Sequence, residues 1–358
     1  MHALYQKVNV NGQVFNNRVF MAPLTRNRAW SDGRIKKQAA EYYSQRASAG
    51  LIISEATQIC PLGKGYIDTP GIYTKEHVRA WQNVTETVHQ NGGKIFAQLW
   101  HVGRISNTEL LPYGESPVAP SAIQAKDAFT FTRTGLTPVS KPRALTINEV
   151  AEIPNLYAVA ARNALTAGFD GVEIHAANGY LLNQFISPNS NVRSDKYGGS
   201  YVARTRLLRE VSEAVIQEIG AEKTAVRISP IGTFNDIDDF EAHLSYPYLA
   251  EYFSSLDLAY LHVIEGFRQE VTPLQKDLIT QIRETFQGRY VANGAYSRER
   301  AEKAVDHGCF AVAFGKAFIS NPDLPFRLAK GCPLARWDES TFYGGEDHGY
   351  TDYPSLKE

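Results

Sequence analysis

Ala167-Gly168-Phe169-Asp170-Gly171-Val172-Glu173-Ile174-His175 reads as the end of a helix, the glycine that closes it, and a short, largely apolar strand. Glycine just beyond a helix takes the left-handed conformation at little cost, and a continuous apolar run suits a parallel strand covered on both faces. The same phrase recurs along the chain. Ala49-Gly50 leads into residues 51–55, Gly92-Gly93 into 94–98, Gly288 into 290–293 and Gly308 into 310–314. Residues 19–21, 224–228 and 258–263 bring the tally to eight candidate strands, the number a closed parallel barrel needs. The pattern predicts an α/β protein built as a single (β/α)₈ TIM barrel over residues 1–358, with an open doubly wound sheet as the alternative. A length of 358 residues does not require a second domain.

Between the strands, Thr146-Ile147-Asn148-Glu149 is a capping box, in which Thr and Glu satisfy each other's free backbone donors, and it predicts a helix running to about Ala167. Residues of about 104–145, with Pro112, Pro117, Pro120, Pro138 and Pro142, exceed an ordinary βα loop and are expected to cap the barrel mouth as an insertion after strand three. The glycine- and tyrosine-rich tail, residues 342–353, could fold back onto the barrel.

Hydrophobic residues at 43% and charged residues at 21% fit a globular enzyme with a sizeable core. A formal charge of -1 leaves no general field for nucleic acid or anionic lipid, so neither is expected as a partner. Cys60, Cys309 and Cys332 are sparse, odd in number and without C-x-x-C spacing, which disfavours a disulfide framework and a metal site. Residues 1–11 lack a signal-like apolar core and no stretch reaches the ~18 apolar residues of a membrane span, so a cytoplasmic location is expected.

A barrel of this type builds its site at the C-terminal ends of its strands. The residues to examine are Pro23, Thr25 and Arg26 after strand one, Glu55 and Ala56 after strand two, and Gln98 and Trp100 at strand three. His175, Asn178 and Tyr180 follow strand four, Arg227 lies within strand five, Gly294 follows strand seven, and Gly315 and Lys316 follow strand eight. The last three sit where this fold commonly binds phosphate through exposed amides, though both glycines could be ordinary turn residues. If a helical turn begins at His175, it and Asn178 face the same way and can clasp one carbonyl oxygen, while Tyr180 is a proton donor at neutral pH. Arg227 in an apolar strand needs an anion, either a ligand or a salt bridge to Glu55 or Glu173. His89, His101 and His262 have no metal-ligand spacing. Neither G-x-G-x-x-G nor a P-loop occurs.

Met21-Ala22-Pro23-Leu24-Thr25-Arg26, Ala97-Gln98-Leu99-Trp100-His101-Val102-Gly103-Arg104 and His175-Ala176-Ala177-Asn178-Gly179-Tyr180 resemble the old yellow enzyme family of FMN-dependent NAD(P)H ene-reductases. The likeness continues through Arg227-Ile228-Ser229-Pro230 and Ala313-Phe314-Gly315-Lys316 to Phe342-Tyr343-Gly344-Gly345. It implies noncovalent FMN, with Pro23, Thr25, Ala56, Gln98 and Arg227 around the isoalloxazine and Gly294, Gly315 and Lys316 at its phosphate. The family often has Arg where Lys316 stands, and Lys offers a point charge in place of a bidentate fork. His175 and Asn178 would bind the carbonyl or nitro oxygen of an enone, nitroalkene or quinone, and Tyr180 would supply the proton. Thr25, Trp100, Phe342 and Tyr343 would line the substrate pocket. The implied activity is ping-pong reduction of activated C=C bonds by NADPH or NADH. Two rival readings remain: a flavin-free lyase or aldolase, which lacks a Schiff-base lysine at any strand end, and a non-catalytic binding barrel.

Overall fold

Eight parallel strands close on themselves in the computed structural model, which describes residues 2–10, 13–266 and 271–356. They are β1 (Val19–Met21), β2 (Leu51–Ile53), β3 (Ile95–Trp100), β4 (Gly171–Ala176), β5 (Thr224–Ile228), β6 (Tyr260–Ile264), β7 (Tyr290–Asn293) and β8 (Ala311–Phe314). Each pairs with its neighbours in chain order, and Ala313 of β8 sits opposite Phe20 of β1, which closes the ring. The expected barrel is present and the open sheet is excluded. Strand limits differ from the sequence expectation by a few residues. β2 stops at Ile53 and so leaves Glu55 in the following loop, while β3 continues through Trp100.

The period of two along a strand sorts the side chains. Val172, Ile174 and Ala176 of β4, with Val226, Ile228, Leu261 and Val263, join the apolar layer packed under the helices. Phe20, Leu51, Phe96, Ala225, Tyr260 and Val291 fill the barrel interior toward its N-terminal end. The alternate positions nearer the C-terminal end carry Gln98, Glu173, His175, Arg227, His262 and Asn293, all buried. A polar layer therefore rests on an apolar floor.

The capping box is formed: Thr146 accepts from the Glu149 N–H, and the helix spans Ile147–Thr166. Between β3 and that helix lies a hairpin, Phe129–Thr132 paired with Gly135–Pro138. Among the described residues no helix is long and apolar enough to cross a membrane.

The tail returns to the barrel because two buried arginines after β1 hold its carbonyls. Arg26 Nε donates to the Phe342 carbonyl at 2.9 Å and Nη2 to that of Gly349 at 2.7 Å. Arg28 donates to the carbonyls of Thr341, Phe342, Glu346 and His348. Tyr350 stacks on Tyr42 with ring centroids 4.2 Å apart.

Beneath this clamp lies Glu55, fully buried, whose carboxylate accepts from the Arg26 N–H and from the Tyr43 hydroxyl. Burial pushes its carboxyl up from 4.5 to about 7, with Arg26 and Tyr43 opposing the rise. A carboxyl raised on folding binds its proton more tightly in the native state, so ionisation of the unfolded chain favours unfolding as pH rises. The stability margin of Glu55→Gln over the parent should therefore widen between pH 4.5 and about 7 and level off above. Urea titrations across that range read the slope, and a flat margin would mean that Glu55 is not neutralised by burial.

Candidate active site

At the centre of the polar layer, Gln98 lies opposite Glu173, His175 opposite Arg227, and Arg227 opposite His262 in the strand register. Gln98 Nε2 donates to Glu173 Oε1 at 2.8 Å, and His262 Nδ1 lies 2.8 Å from Glu173 Oε2. Burial alone would raise the Glu173 carboxyl, but His262, Arg227 and Gln98 together hold it below its ordinary value. Burial also lowers His262, with the Glu173 charge opposing the fall.

Arg227 donates from Nη2 to Asn293 Oδ1 at 3.0 Å, while its buried Nε has no hydrogen-bond partner among the described residues. The salt bridge to Glu55 does not form, because Glu55 lies in the loop after β2 and is taken by Arg26 and Tyr43. Glu173 acts on Arg227 through its charge. The guanidinium thus keeps an unused donor.

His175 is buried, its Nδ1 also lacks a partner among the described residues, and burial, followed by the charges of Arg227 and His262, holds its pKa well below the ordinary value. It stands as a neutral imidazole with donor capacity to spare. The expected helical turn from His175 is absent. β4 runs through Ala176, Asn178 then adopts the left-handed region at φ 57, and the helix Leu181–Ile186 begins only after Tyr180. Asn178 is instead held by its backbone, donating to Ser229 Oγ at 2.9 Å and accepting from Asn235 Nδ2 at 2.8 Å. The turn is therefore fixed by the loop after β5.

Tyr180 sits with its ring edge-on to His175 at 5.1 Å and to Trp100 at 4.9 Å. Burial raises its phenol well above 10. Tyr66 stacks on Trp100 at 5.7 Å and brings its hydroxyl to 3.2 Å from that of Tyr180. Tyr66 is not legible in the sequence as a site residue, since it lies in an irregular stretch far from any strand end. His262 and Asn293 carry a signal that sequence reasoning missed, and Glu173, weighed there only as a salt-bridge partner, carries it too: all three share the inward period-two positions of their strands with Arg227 and Gln98.

The remaining expected residues surround the same mouth. Pro23 and Thr25 are half-buried after β1, and Ala56 is buried in a cluster with Trp100 and Tyr180. A Cβ on Gly294 would come within 2.9 Å of the Gly266 carbonyl, so close backbone approach alone requires that glycine. A Cβ on Gly315 would meet only Leu24, at an ordinary contact distance of 3.5 Å, so packing does not require glycine there. Lys316 is paired within the protein. Its ammonium lies 2.5 Å from Glu339 and over the rings of Trp337 and Phe342, since the tail supplies a carboxylate within reach. Phe342 is buried, whereas Tyr343 is 54% exposed and meets Phe131 of the hairpin at 5.7 Å.

Residues 3–335 match the family described as NADH:flavin oxidoreductase / NADH oxidase. The chain belongs to this family. It is 44% identical over 354 residues to a Leishmania infantum protein named probable flavin mononucleotide-dependent alkene reductase, covering 97% of this chain and 96% of that one. Morphinone reductase superposes with a TM-score of 0.94 at 43% identity, over 99% of this chain and 96% of that chain. The old yellow enzyme homologue from Zymomonas mobilis does so with a TM-score of 0.95 at 44% identity, over 99% and 100%. The protein is accordingly an NAD(P)H-dependent flavin oxidoreductase of the old yellow enzyme family, an ene-reductase acting on activated C=C bonds.

The residues present fit FMN. A buried arginine whose Nε and a neutral histidine whose Nδ1 have no partner among the described residues, with Gly315, which packing does not require to be glycine, lie at the C-terminal mouth.

Proposed function

We propose that the protein holds noncovalent FMN and, in a ping-pong cycle, uses NADPH or NADH to reduce small enones, nitroalkenes or quinones. The observation that carries this reading is Arg227, buried in β5 between His175 and His262 with an unpartnered Nε. Pro23, Thr25, Ala56, Gln98 and Arg227 would hold the isoalloxazine, and Gly294, Gly315 and the Lys316 backbone the phosphate. The Lys316 side chain, being paired with Glu339, contributes charge at longer range. Bound FMN supplies the hydride chemistry; the protein supplies orientation and charge.

His175 and Asn178 donate to the substrate carbonyl or nitro oxygen, where negative charge grows as the β-carbon accepts hydride. A neutral His175 suits that task, because it offers an N–H without placing a second cation beside Arg227. Tyr180 delivers the proton to the α-carbon. Thr25, Trp100, Phe342 and Tyr343 line the pocket, and residues of about 104–145 cap it within a single domain. A small substrate and a formal charge of -1 are consistent with a cytoplasmic enzyme that uses neither nucleic acid nor membrane.

The test is an absorbance spectrum after reconstitution with FMN, followed by anaerobic mixing with NADPH and then cyclohexenone. The expected result is a bound flavin that bleaches and recovers. Saturating FMN without a bound-flavin spectrum, or a reduced flavin that no acceptor reoxidises, would overturn the proposal.

A further inference from the structure

Tyr180 is asked to give up a proton from a setting in which burial makes its phenolate costly, and the structure places one hydroxyl, that of Tyr66, 3.2 Å away. We propose that Tyr66 is a positioning residue for proton delivery: its hydroxyl donates to the Tyr180 oxygen, leaving the Tyr180 proton free for the substrate and stabilising the tyrosinate left behind. The inference rests on the reading of Tyr180 as the acid.

A phenol has one proton to give and an oxygen that can accept. If Tyr180 donated to Tyr66, its proton would point away from the acceptor. With Tyr66 as donor, the Tyr180 O–H bond breaks, a C–H bond forms at the α-carbon, and the electron pair stays on the Tyr180 oxygen. Tyr66 keeps its proton, and solvent later restores that of Tyr180. As charge develops on Tyr180, the Tyr66 hydrogen bond becomes charge-assisted and strengthens, so it favours the transition state over the ground state.

The fold holds Tyr66 for this contact from several sides. A Cβ on Gly65 would lie 2.4 Å from the Ile105 carbonyl, so glycine alone allows the segment to approach the start of the cap. Thr130 Oγ1 of the hairpin donates to the Gly65 carbonyl, and the Ile67 N–H donates to the Phe131 carbonyl at 2.8 Å. Asn27 Nδ2 donates to the Ile67 carbonyl at 2.6 Å, and the Tyr66 ring lies flat on Trp100. On the far side, Arg104 grips the loop after β5 through the carbonyls of Asn235 and Asp236, and Asn235 stands beside both phenols. Much of the cap near this segment therefore serves to fix one hydroxyl.

Tyr66→Phe keeps the ring on Trp100 and removes only the donor. In anaerobic stopped-flow, its limiting rate of flavin reoxidation by cyclohexenone should fall about 10- to 100-fold, the loss of one charge-assisted bond. The half-saturating enone concentration, flavin reduction by NADPH, and reoxidation by a nitroalkene, whose nitronate can leave unprotonated, should stay within about twofold, since no proton from Tyr180 enters them. Tyr66→Phe/Tyr180→Phe should be no slower than Tyr180→Phe, because the two residues act on one proton. A parent-like enone rate in Tyr66→Phe, or equal slowing with the nitroalkene, overturns the proposal while leaving Tyr180 as the acid. A parent-like enone rate in Tyr180→Phe removes the acid assignment itself, and this proposal with it.

Discussion

Tyr180→Phe should take hydride from NADPH at nearly the parent rate and reoxidise with cyclohexenone some ~10²- to 10⁴-fold more slowly, the range typical of losing a positioned acid. On the proposed reading the phenol protonates the acceptor's α-carbon and has no proton to contribute when the nicotinamide gives up hydride, so the two half-reactions should separate. The ring itself survives in the variant, so its edge-on contacts with His175 and Trp100 persist and the pocket keeps its shape. Burial holds the parent phenol well above its ordinary value, so it is fully protonated at neutral pH. A nitroalkene should reoxidise the variant at close to the parent rate. Equal slowing of flavin reduction, or a parent-like rate with cyclohexenone, would show that the proton comes from elsewhere.

The second large effect is on stability. Arg26→Met should destabilise the protein by about 3 to 6 kcal/mol, since the carbonyls of Phe342 and Gly349 lose close charged donors worth ~1.5 to 3 kcal/mol each, and the longer contact with Thr341 and the cation over two rings go with them. The guanidinium is fully buried, donates to Phe342 and Gly349, and lies 5.1 Å from both the Tyr42 and Tyr350 ring centroids. Methionine keeps the stem's apolar contact, which isolates the loss of the clamp. Because the tail carries Phe342 and Tyr343, the variant should also bind enones more weakly and become susceptible to proteolysis after Thr341. Arg28 still holds the carbonyls of Thr341, Phe342 and His348, so the tail loosens without being released entirely. Denaturant midpoints and limited proteolysis read both effects; a parent-like midpoint with an uncut tail would show that Arg28 suffices.

Several features are legible in the amino-acid sequence itself. The glycine-then-apolar phrase identifies strands in chain order, and the Thr146 capping box places the long helix to within a residue. The motifs around Met21, Gln98, His175, Arg227 and Gly315 all come to the C-terminal mouth. These succeed because a helix end, a cap and a strand's apolar run are each decided within a few residues by backbone conformation and side-chain period. Barrel topology then converts strand order into site position without further information.

What the chain does not declare locally is which polar groups meet once the barrel closes. Arg227 has two candidate carboxylates in the sequence, Glu55 and Glu173. Register puts Asn293 on its Nη2, sets Glu173 against Gln98 and His262, and leaves Nε free. The left-handed turn at Asn178 depends on Ser229 and Asn235, which lie 51 and 57 residues later in the chain. Lys316 turns to Glu339 because the Arg26 and Arg28 clamp returns the tail to that edge, and Tyr66 reaches Tyr180 because a hairpin from the cap braces its backbone. Sequence alone determined the barrel, its strand order and the motif residues that the strand ends carry to its mouth, since those follow from short-range conformation. Tertiary structure alone decided their partners, since a hydrogen bond selects by distance and angle between atoms that only closure of the ring and docking of the tail bring together.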